Sequence, residues 1–398
     1  MNTRVQLLII GGGCAGLSLA SKIAQSSTPL KSLVIEPRVC YQDDRTWCFW
    51  KGQGSGHDYL PLTEWTTLEL AQGRSRVLAN FAEQPYQMLR STDFYTEKVD
   101  AISQSEDVEL RLGTTALSSR RIDGGLWLTE TSEGGIVSDF VIDTRPAQSV
   151  SSTPPVLWQA FVGYELESQT DSFDPSTAQL MKFLETGSKE IEFLYVLPTT
   201  RRRALVELTV ISPDRPSFED LAQRLERQLK EKFGDQRPNV IRREQGAIPM
   251  GIDDALGFAR SSEPSDSSYV HVGVAAGSAR PSSGYTFCRI QRWATACANS
   301  LQAGGKPIGP LADTSLVKFM DSVFLKVLRR HPQLAPELFM GMFRKVPSRR
   351  LLRFLGDSPT LMDAMFLVAA LPKLPFLREV IRPTKETSRM SSEATCLP

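Results

Sequence analysis

Val5 to Ile10 is a near-continuous apolar run of strand length, the pattern of a strand buried on both faces of a parallel sheet. Glycines follow at once, Leu17 to Ala24 carries apolar residues at helical spacing, and Leu33 to Glu36 predicts a second short buried strand before Pro37. The opening order is therefore strand, glycine turn, helix, strand. Between about residues 80 and 145 the pattern becomes alternating and turn-rich, with Val108–Leu112, Gly124-Gly125, Leu126–Leu128 and Gly134-Gly135, which predicts antiparallel hairpins. Ser138 to Asp143 predicts a further strand ending in an acidic residue.

Beyond a Ser/Thr/Pro linker at Ser149–Pro155, Trp158–Glu165, Ile191–Leu197 and Ala204–Ile211 predict the strands of a second sheet, followed by an amphipathic helix over Phe218–Phe233. Tyr269 to Val274 predicts a late buried strand running into Ala275-Ala276-Gly277, and Thr286–Leu301 predicts a helix. From Leu316 onward the pattern is of helices separated by prolines, ending in a polar tail after Ile381. The expected organisation is a dinucleotide-binding segment over 1–80, a hairpin insertion and return strand over 81–150, and a substrate-binding mixed sheet over 151–265. A second dinucleotide-binding segment over 266–310 and a helical region over 311–398 complete it.

Charge and cysteine usage narrow the function classes. Lys plus Arg number 46 against 45 Asp plus Glu, a balance that argues against global attraction to nucleic acid. The six cysteines form no C-x-x-C pair, and His57, His271 and His331 have no ligand-like spacing, so no metal site or disulfide framework is expected. His271, in an apolar strand, is expected to be a core residue. The first apolar run is too short to span a bilayer, no later run reaches that length, and the expectation is a cytoplasmic chain touching a membrane on one face at most.

Gly11-x-Gly13-x-x-Gly16 lies between the predicted strand and helix, the context that raises this motif above chance. Its glycines permit a tight turn, close approach of backbone to a pyrophosphate and tight helix–strand packing, while the helix N-terminus offers N–H groups to an anion. Glu36 ends the second strand twenty residues after Gly16, where a carboxylate accepts from a ribose. An adenine dinucleotide is expected. A nicotinamide dehydrogenase usually continues with further strand–helix–strand units. Here hairpins follow, and the strand–glycine pattern returns only at Val270–Gly277, the layout of FAD-dependent hydroxylases, halogenases and cyclases. The fold class expected is α/β, a Rossmann-like FAD-binding domain of the glutathione-reductase or hydroxylase type, with an inserted antiparallel substrate sheet and C-terminal helices.

Several segments then point to one family. Tyr41-Gln42-Asp43-Asp44-Arg45-Thr46-Trp47-Cys48-Phe49-Trp50, Phe173-Asp174-Pro175, Phe193–Pro198, Ala204–Thr209, Gly246-x-Ile248-Pro249 and Arg280–Tyr285 occur in the order of the bacterial lycopene β-cyclases. Leu351–Leu355 and the Leu371–Leu377 segment extend the similarity nearly to the C-terminus, and the chain resembles that family over most of its length. Arg45, where many members carry His, and Ser283, where Thr is commoner, depart from the pattern.

The resemblance implies cycloisomerisation of the ψ end groups of lycopene, or a related acyclic carotenoid, to β-ionone rings without net redox change. It also implies FAD that acts in its reduced form, with NADPH as the reductant. Glu207, within the strand Ala204–Thr209, is the implied proton donor and acceptor. Alternation by itself also fits a solvated carboxylate at that position. Asp43, Asp44 and Arg45 are candidates for shaping the active site or for a solvated ion pair, and Trp47, Phe49 and Trp50 for stacking a polyene or packing a core. Tyr285 is a further candidate for the active site. Gly277, Pro281 and Gly284 are candidates for contacting the cofactor.

Each methylene removed from water is worth about 0.8 kcal/mol, so a free polyene does not travel through the cytosol unaided. Leu316–Arg353 holds nine Lys/Arg against two Asp/Glu, interleaved with apolar residues, and Leu361–Leu377 is strongly apolar. These are expected to dock on anionic lipid headgroups, giving a protein peripheral to the cytoplasmic face of the membrane, possible contacts with other carotenoid enzymes included. A solvated helical cap is the competing expectation. Two other functions compete: an FAD monooxygenase or halogenase, and a non-catalytic protein escorting an isoprenoid.

Overall fold

The computed structural model describes residues 3–52, 59, 61–146, 155–184, 189–251 and 267–381. The first part runs β1 (Thr3–Ile10), α1 (Cys14–Ala24), β2 (Ser32–Glu36), β3 (Thr46–Trp50), β4 (Thr63–Trp65), β5 (Thr67–Gln72), β6 (Ser75–Asn80) and β7 (Tyr86–Arg90). It continues through α2 (Ser91–Ser103), β8 (Val108–Leu112), β9 (Ala116–Ile122), β10 (Leu126–Thr131) and β11 (Gly134–Asp143). The second part holds β12 (Leu157–Glu167), β13 (Thr177–Phe183), β14 (Ile191–Pro198), β15 (Arg203–Ser212), α3 (Phe218–Phe233), β16 (Asn239–Met250) and β17 (Tyr269–His271). Helices α4 (Phe287–Gln302), α5 (Ser315–Arg330), α6 (Ala335–Lys345), α7 (Ser348–Leu355), α8 (Leu361–Ala370) and α9 (Lys373–Ile381) follow.

The first sheet has the order β8-β2-β1-β11-β10-β9, with β17 beside the C-terminal half of β11. Strands β8, β2, β1, β11 and β17 are mutually parallel. Leu7 to Ile10 are at most 1% exposed because both faces are covered: Leu7 and Ile9 pack towards α1 and α4, Leu8 and Ile10 towards Leu33, Ile35 and Ile136. Val108–Leu112, expected in an antiparallel hairpin, instead pairs parallel to β2. Alternation reports half-burial and not the direction of the partner. The direction follows from α2, a helix buried through Phe94, Tyr95, Lys98 and Ile102 that carries the chain back along the sheet.

The second sheet, β16-β12-β15-β14-β13-β5-β6, is antiparallel except for β13 against β5. Hairpin β5–β6, read with the first dinucleotide segment in the sequence, thus completes the far edge of this sheet. One face packs on α3 through Leu221, Leu225 and Leu229, spaced one helical turn apart, with Ser217 capping the helix by accepting from Asp220 N. The other face is covered by the C-terminal helices and by a third, three-stranded sheet, β3-β7-β4. With both faces covered, β15 is buried from Ala204 to Ser212, so its alternation carries no solvent side.

His271, expected in the core, is instead exposed at the end of β17, with Nδ1 4.0 Å from Asp143, because β17 ends there and the imidazole leaves the sheet edge. No helix among the described residues is long and apolar enough to cross a membrane, and none of their His, Cys, Asp and Glu form a metal-sized cluster. His57, Cys396 and the tail after Ile381 lie outside the described residues.

Candidate active site

The glycine turn has the shape its residues predict. Gly11 takes a φ of +100° and donates to Ile35 O, while a Cβ on Gly16 would lie 2.0 Å from Gly11 O, which restricts that position to glycine. A Cβ on Gly13 would meet nothing within 4 Å, so the space beside the N-terminus of α1 is open. Glu36 accepts from Gly12 N at 2.6 Å and from Arg38 Nε at 2.8 Å. Burial pulls this carboxyl upward, but the hydrogen bonds from Arg38 and Gly12 outweigh it and hold its pKa below the ordinary value.

The neighbouring aspartates point two ways. Asp44 accepts from Tyr95 and from the exposed Arg45 and stands 3.5 Å from Arg38, on the side of the glycine turn. Asp43 turns to the second sheet, 3.6 Å from Arg90 and 3.5 Å from Arg242. The segment thereby bridges the two sheets.

Beyond Thr46, alternate residues of β3 face opposite layers. Trp47 and Phe49 pack with Phe94, Tyr59 and Phe287 in the core of the first sheet. Trp50, 1% exposed, packs between Phe81 and Tyr86. Cys48, Phe49, Trp50, Tyr285, Thr286 and Phe287 line one narrow cleft, closed on its other side by Arg289, Arg292 and Leu355–Asp357.

The loop between β17 and α4 completes this wall. Gly277, with a φ of +81° and open space where a Cβ would stand, ends a single turn over Val274–Ala276. Pro281 is partly buried, and Gly284, with a φ of +71°, packs against Gln159 and Ile248 of the second sheet. Arg280 is fully buried and bonds Asp321 of α5, and Ser282 donates to the same carboxylate.

Beneath β3 lies Glu207. In the register of the second sheet Glu207 on β15 stands opposite Gly163 on β12, which stands opposite Glu244 on β16, and on its other side opposite Tyr195 on β14. Glu207 is 8% exposed and accepts from Thr209 Oγ1 at 2.8 Å. Burial, and then the Glu244 carboxyl, push its pKa up to about 8, which favours its protonated form. Glu244, 7% exposed, accepts from Arg242 at 2.7 Å and from Thr46 at 2.9 Å. Glu165, 2% exposed, pairs with Arg90 and, at 3.0 Å, with Arg242. On the Tyr195 side of Glu207, the Tyr195 and Tyr86 hydroxyls meet at 2.8 Å.

The sequence therefore points to Glu207, Asp43, Trp50 and Tyr285 but not to Glu244, Arg242, Glu165, Arg90 and Gly163. The spacing Arg242-x-Glu244 puts both residues on one strand face, yet nothing local says which strand that face meets.

A family model described as lycopene cyclase protein matches residues 6–381. The chain belongs to the lycopene cyclase family. No curated protein matches this family member significantly. Among solved structures it is similar to a geranylgeranyl bacteriochlorophyll reductase-like protein from Thermoplasma acidophilum, at 14% identity and a TM-score of 0.61, covering 96% of this chain and 99% of that one. It is also similar to p-nitrophenol 4-monooxygenase PnpA from Pseudomonas putida DLL-E4, at 15% identity and a TM-score of 0.54, covering 96% and 97%. PqsL from Pseudomonas aeruginosa, described as a probable FAD-dependent monooxygenase, matches at 13% identity and a TM-score of 0.52, covering 89% and 99%. At these identities the likeness is one of fold: the dinucleotide-type domain with a second sheet and C-terminal helices.

Proposed function

We propose that the chain is a lycopene β-cyclase, converting ψ end groups to β-ionone rings by proton addition and proton loss at Glu207. The observation that carries this reading is a carboxyl group in a layer buried on both faces, without an ion-pair partner among the described residues and neighboured across the sheet by Tyr195, whose hydroxyl meets that of Tyr86. A proton passes from the Glu207 carboxyl to the terminal alkene. The resulting tertiary cation is attacked by the neighbouring double bond of the chain, and the carboxylate then takes a proton from the new ring. Protons and electrons balance, and Glu207 ends as it began. Trp50 and Tyr285, which line the cleft, and Tyr86, whose hydroxyl meets that of Tyr195, are the side chains placed to keep water from this path.

FAD fits the residues present. Gly13 leaves open space at the N-terminus of α1 for a pyrophosphate, and Glu36 is ionised at the end of β2 for a ribose. Gly277, Pro281 and Gly284 would face the cofactor from the β17–α4 loop. Bound in its reduced form, with NADPH as the source of electrons, FAD supplies negative charge beside a developing cation.

The substrate dissolves in membranes, and the C-terminal helices offer a surface for one. Leu361, Met362, Met365, Phe366, Val368, Leu374, Leu377, Val380 and Ile381 are all exposed large hydrophobics. The two carboxylates of the same stretch turn inward, Asp363 to Arg350 and Arg353 and Glu379 to Arg330, leaving Lys373 and Arg378 exposed. This apolar, cationic face is the dock for an anionic bilayer.

The test is lycopene supplied in anionic vesicles with FAD and a reductant. Ring products of unchanged mass support the cyclase. Added oxygen makes the chain a monooxygenase, and unaltered lycopene an escort. Glu207→Gln is expected to retain flavin and form no ring.

A further inference from the structure

Gly163 is the centre of a row of side chains running across four strands. Glu244, Gly163, Glu207 and Tyr195 are cross-strand neighbours on β16, β12, β15 and β14, so all four Cα–Cβ directions share one face of the sheet. The two glutamates stand two strands apart, roughly 9–10 Å between Cα atoms at the usual strand spacing. Any side chain between them would keep their carboxyl groups apart. Gly163 has none: a Cβ there would stand 3.2 Å from Glu244 Cγ, 3.3 Å from Leu205 Cδ1 and 3.5 Å from Glu207 Cβ, so the Glu244 side chain leans over the glycine towards Glu207, with Leu205 packed beside it. Glycine costs stability within a strand, and its presence here marks a close approach.

The groups around the pair are unequal. Glu244 is held by the Arg242 guanidinium and by Thr46 Oγ1, and Arg242 also donates to Thr46, closing a ring of three hydrogen bonds. Glu207 forms no ion pair among the described residues and accepts only from Thr209. The charged and titratable groups facing the pair are Glu165 from β12, Tyr195 from β14, Arg242 from β16, Cys48 from β3, Arg90 and Tyr86 from β7, and Asp43 from the preceding loop. Arg90 and Arg242 are both engaged by Glu165 and Asp43. Four carboxyl groups thus face two guanidinium groups, and one carboxyl without a cation is the place for a proton.

We propose that Glu244 is a positioning residue for the reaction: as the ionised partner across Gly163, it keeps the proton on Glu207 until an alkene is there to receive it. This inference rests on the reading of Glu207 as the proton donor. It divides two buried carboxyl groups into an ionised one and a protonated one by giving a cation to only one of them. Burial raises the pKa of both carboxyls; Arg242 and Thr46 pull Glu244 back down, whereas Glu207 is pushed further up by Glu244 and lowered only by Thr209, the same inequality as the geometry. The arrangement also assigns work to the Asp43–Thr46 segment, since Thr46 and Asp43 anchor Arg242 on the Glu244 side of the row.

The experiment is titration of the Glu207 carboxyl in the purified flavin-loaded protein by difference infrared spectroscopy, with Glu207→Gln as the reference, alongside the pH profile of ring formation. Glu244→Gln is expected to lower the Glu207 midpoint by about one unit and to lower ring formation about ten-fold above it, with near wild-type activity at acid pH. Glu244→Asp, which keeps the charge at a greater distance, is expected to fall between the two. An unmoved midpoint in both variants overturns the assignment of Glu244, even while Glu207→Gln abolishes ring formation. If instead Glu207→Gln forms rings at the wild-type rate, the donor reading fails and the proposal with it.

Discussion

Arg280 and Asp321 form an ion pair at 3.0 Å, with both side chains no more than 2% exposed. It joins the β17–α4 loop, which walls the cleft, to helix α5 of the C-terminal region. The same guanidinium lies 4.3 Å from the centre of the Phe354 ring and donates to Phe354 O, so α7 is tied to the loop as well. A buried pair of this kind costs desolvation on both sides and contributes chiefly by fixing which elements meet.

Removing Asp321 leaves Arg280 charged and buried with Asp357, at 3.4 Å, as its remaining carboxylate, and takes the acceptor from Ser282. Asp321→Ala is expected to destabilise the protein by about 3–5 kcal/mol, measured by urea unfolding. A loss below about 1 kcal/mol would show that the loop and α5 are held by apolar packing alone.

The glycine turn makes a contrast between two similar substitutions. Gly16→Ala places a methyl group where Gly11 O stands and is expected to disrupt the turn, seen as a lower melting temperature and loss of bound flavin absorbance. Gly13→Ala meets nothing in the protein itself and is expected to melt as the wild type while binding flavin more weakly. Equal flavin retention in Gly13→Ala and wild type would place the pyrophosphate elsewhere.

Glu207 makes stability depend on pH in a stated direction. Burial and the Glu244 carboxyl raise its pKa in the folded chain to about 8, from an ordinary value of 4.5. Between those values unfolding releases the proton, so stability contributed at this site is lost as pH rises through that window. Glu207→Gln has no proton to release. Its stability relative to wild type is expected to rise by at least about 1 kcal/mol from pH 4 to pH 8 in parallel denaturation series. A difference constant across that range would mean that the carboxyl is ionised in the folded protein.

The exposed face of α8 and α9 makes the membrane reading measurable. Leu374→Glu with Leu377→Glu places two charges where apolar side chains are 68% and 53% exposed, so folding is expected to be unaffected. Flotation with anionic vesicles is expected to fall at least ten-fold, since each buried leucine contributes roughly 1.5–3 kcal/mol. Unchanged flotation of the double variant would remove these helices from the interface.

Much of the site was legible in the sequence, for a local reason. Gly11, Gly13, Gly16 and Glu36 lie within one strand–turn–helix–strand unit, where φ requirements and strand ends are written in neighbouring residues. The α3 helix was legible in full because Leu221, Leu225 and Leu229 repeat once per turn beside a capping Ser217. The β8 pairing was not, since a helix with a sparse apolar stripe, α2, reverses the direction of the strand after it.

The sequence by itself determined the dinucleotide turn, the existence of a second sheet and the family to which the order of motifs belongs, because each is encoded over short stretches. Only the tertiary structure decided that Glu207 has no solvent side, since α3 on one face and β3-β7 with the helices on the other come from distant segments. It also decided that Glu244, 37 positions further along the chain, faces Glu207 across Gly163. That pairing follows from strand register, and a shift of one residue would turn every side chain of β16 to the opposite face.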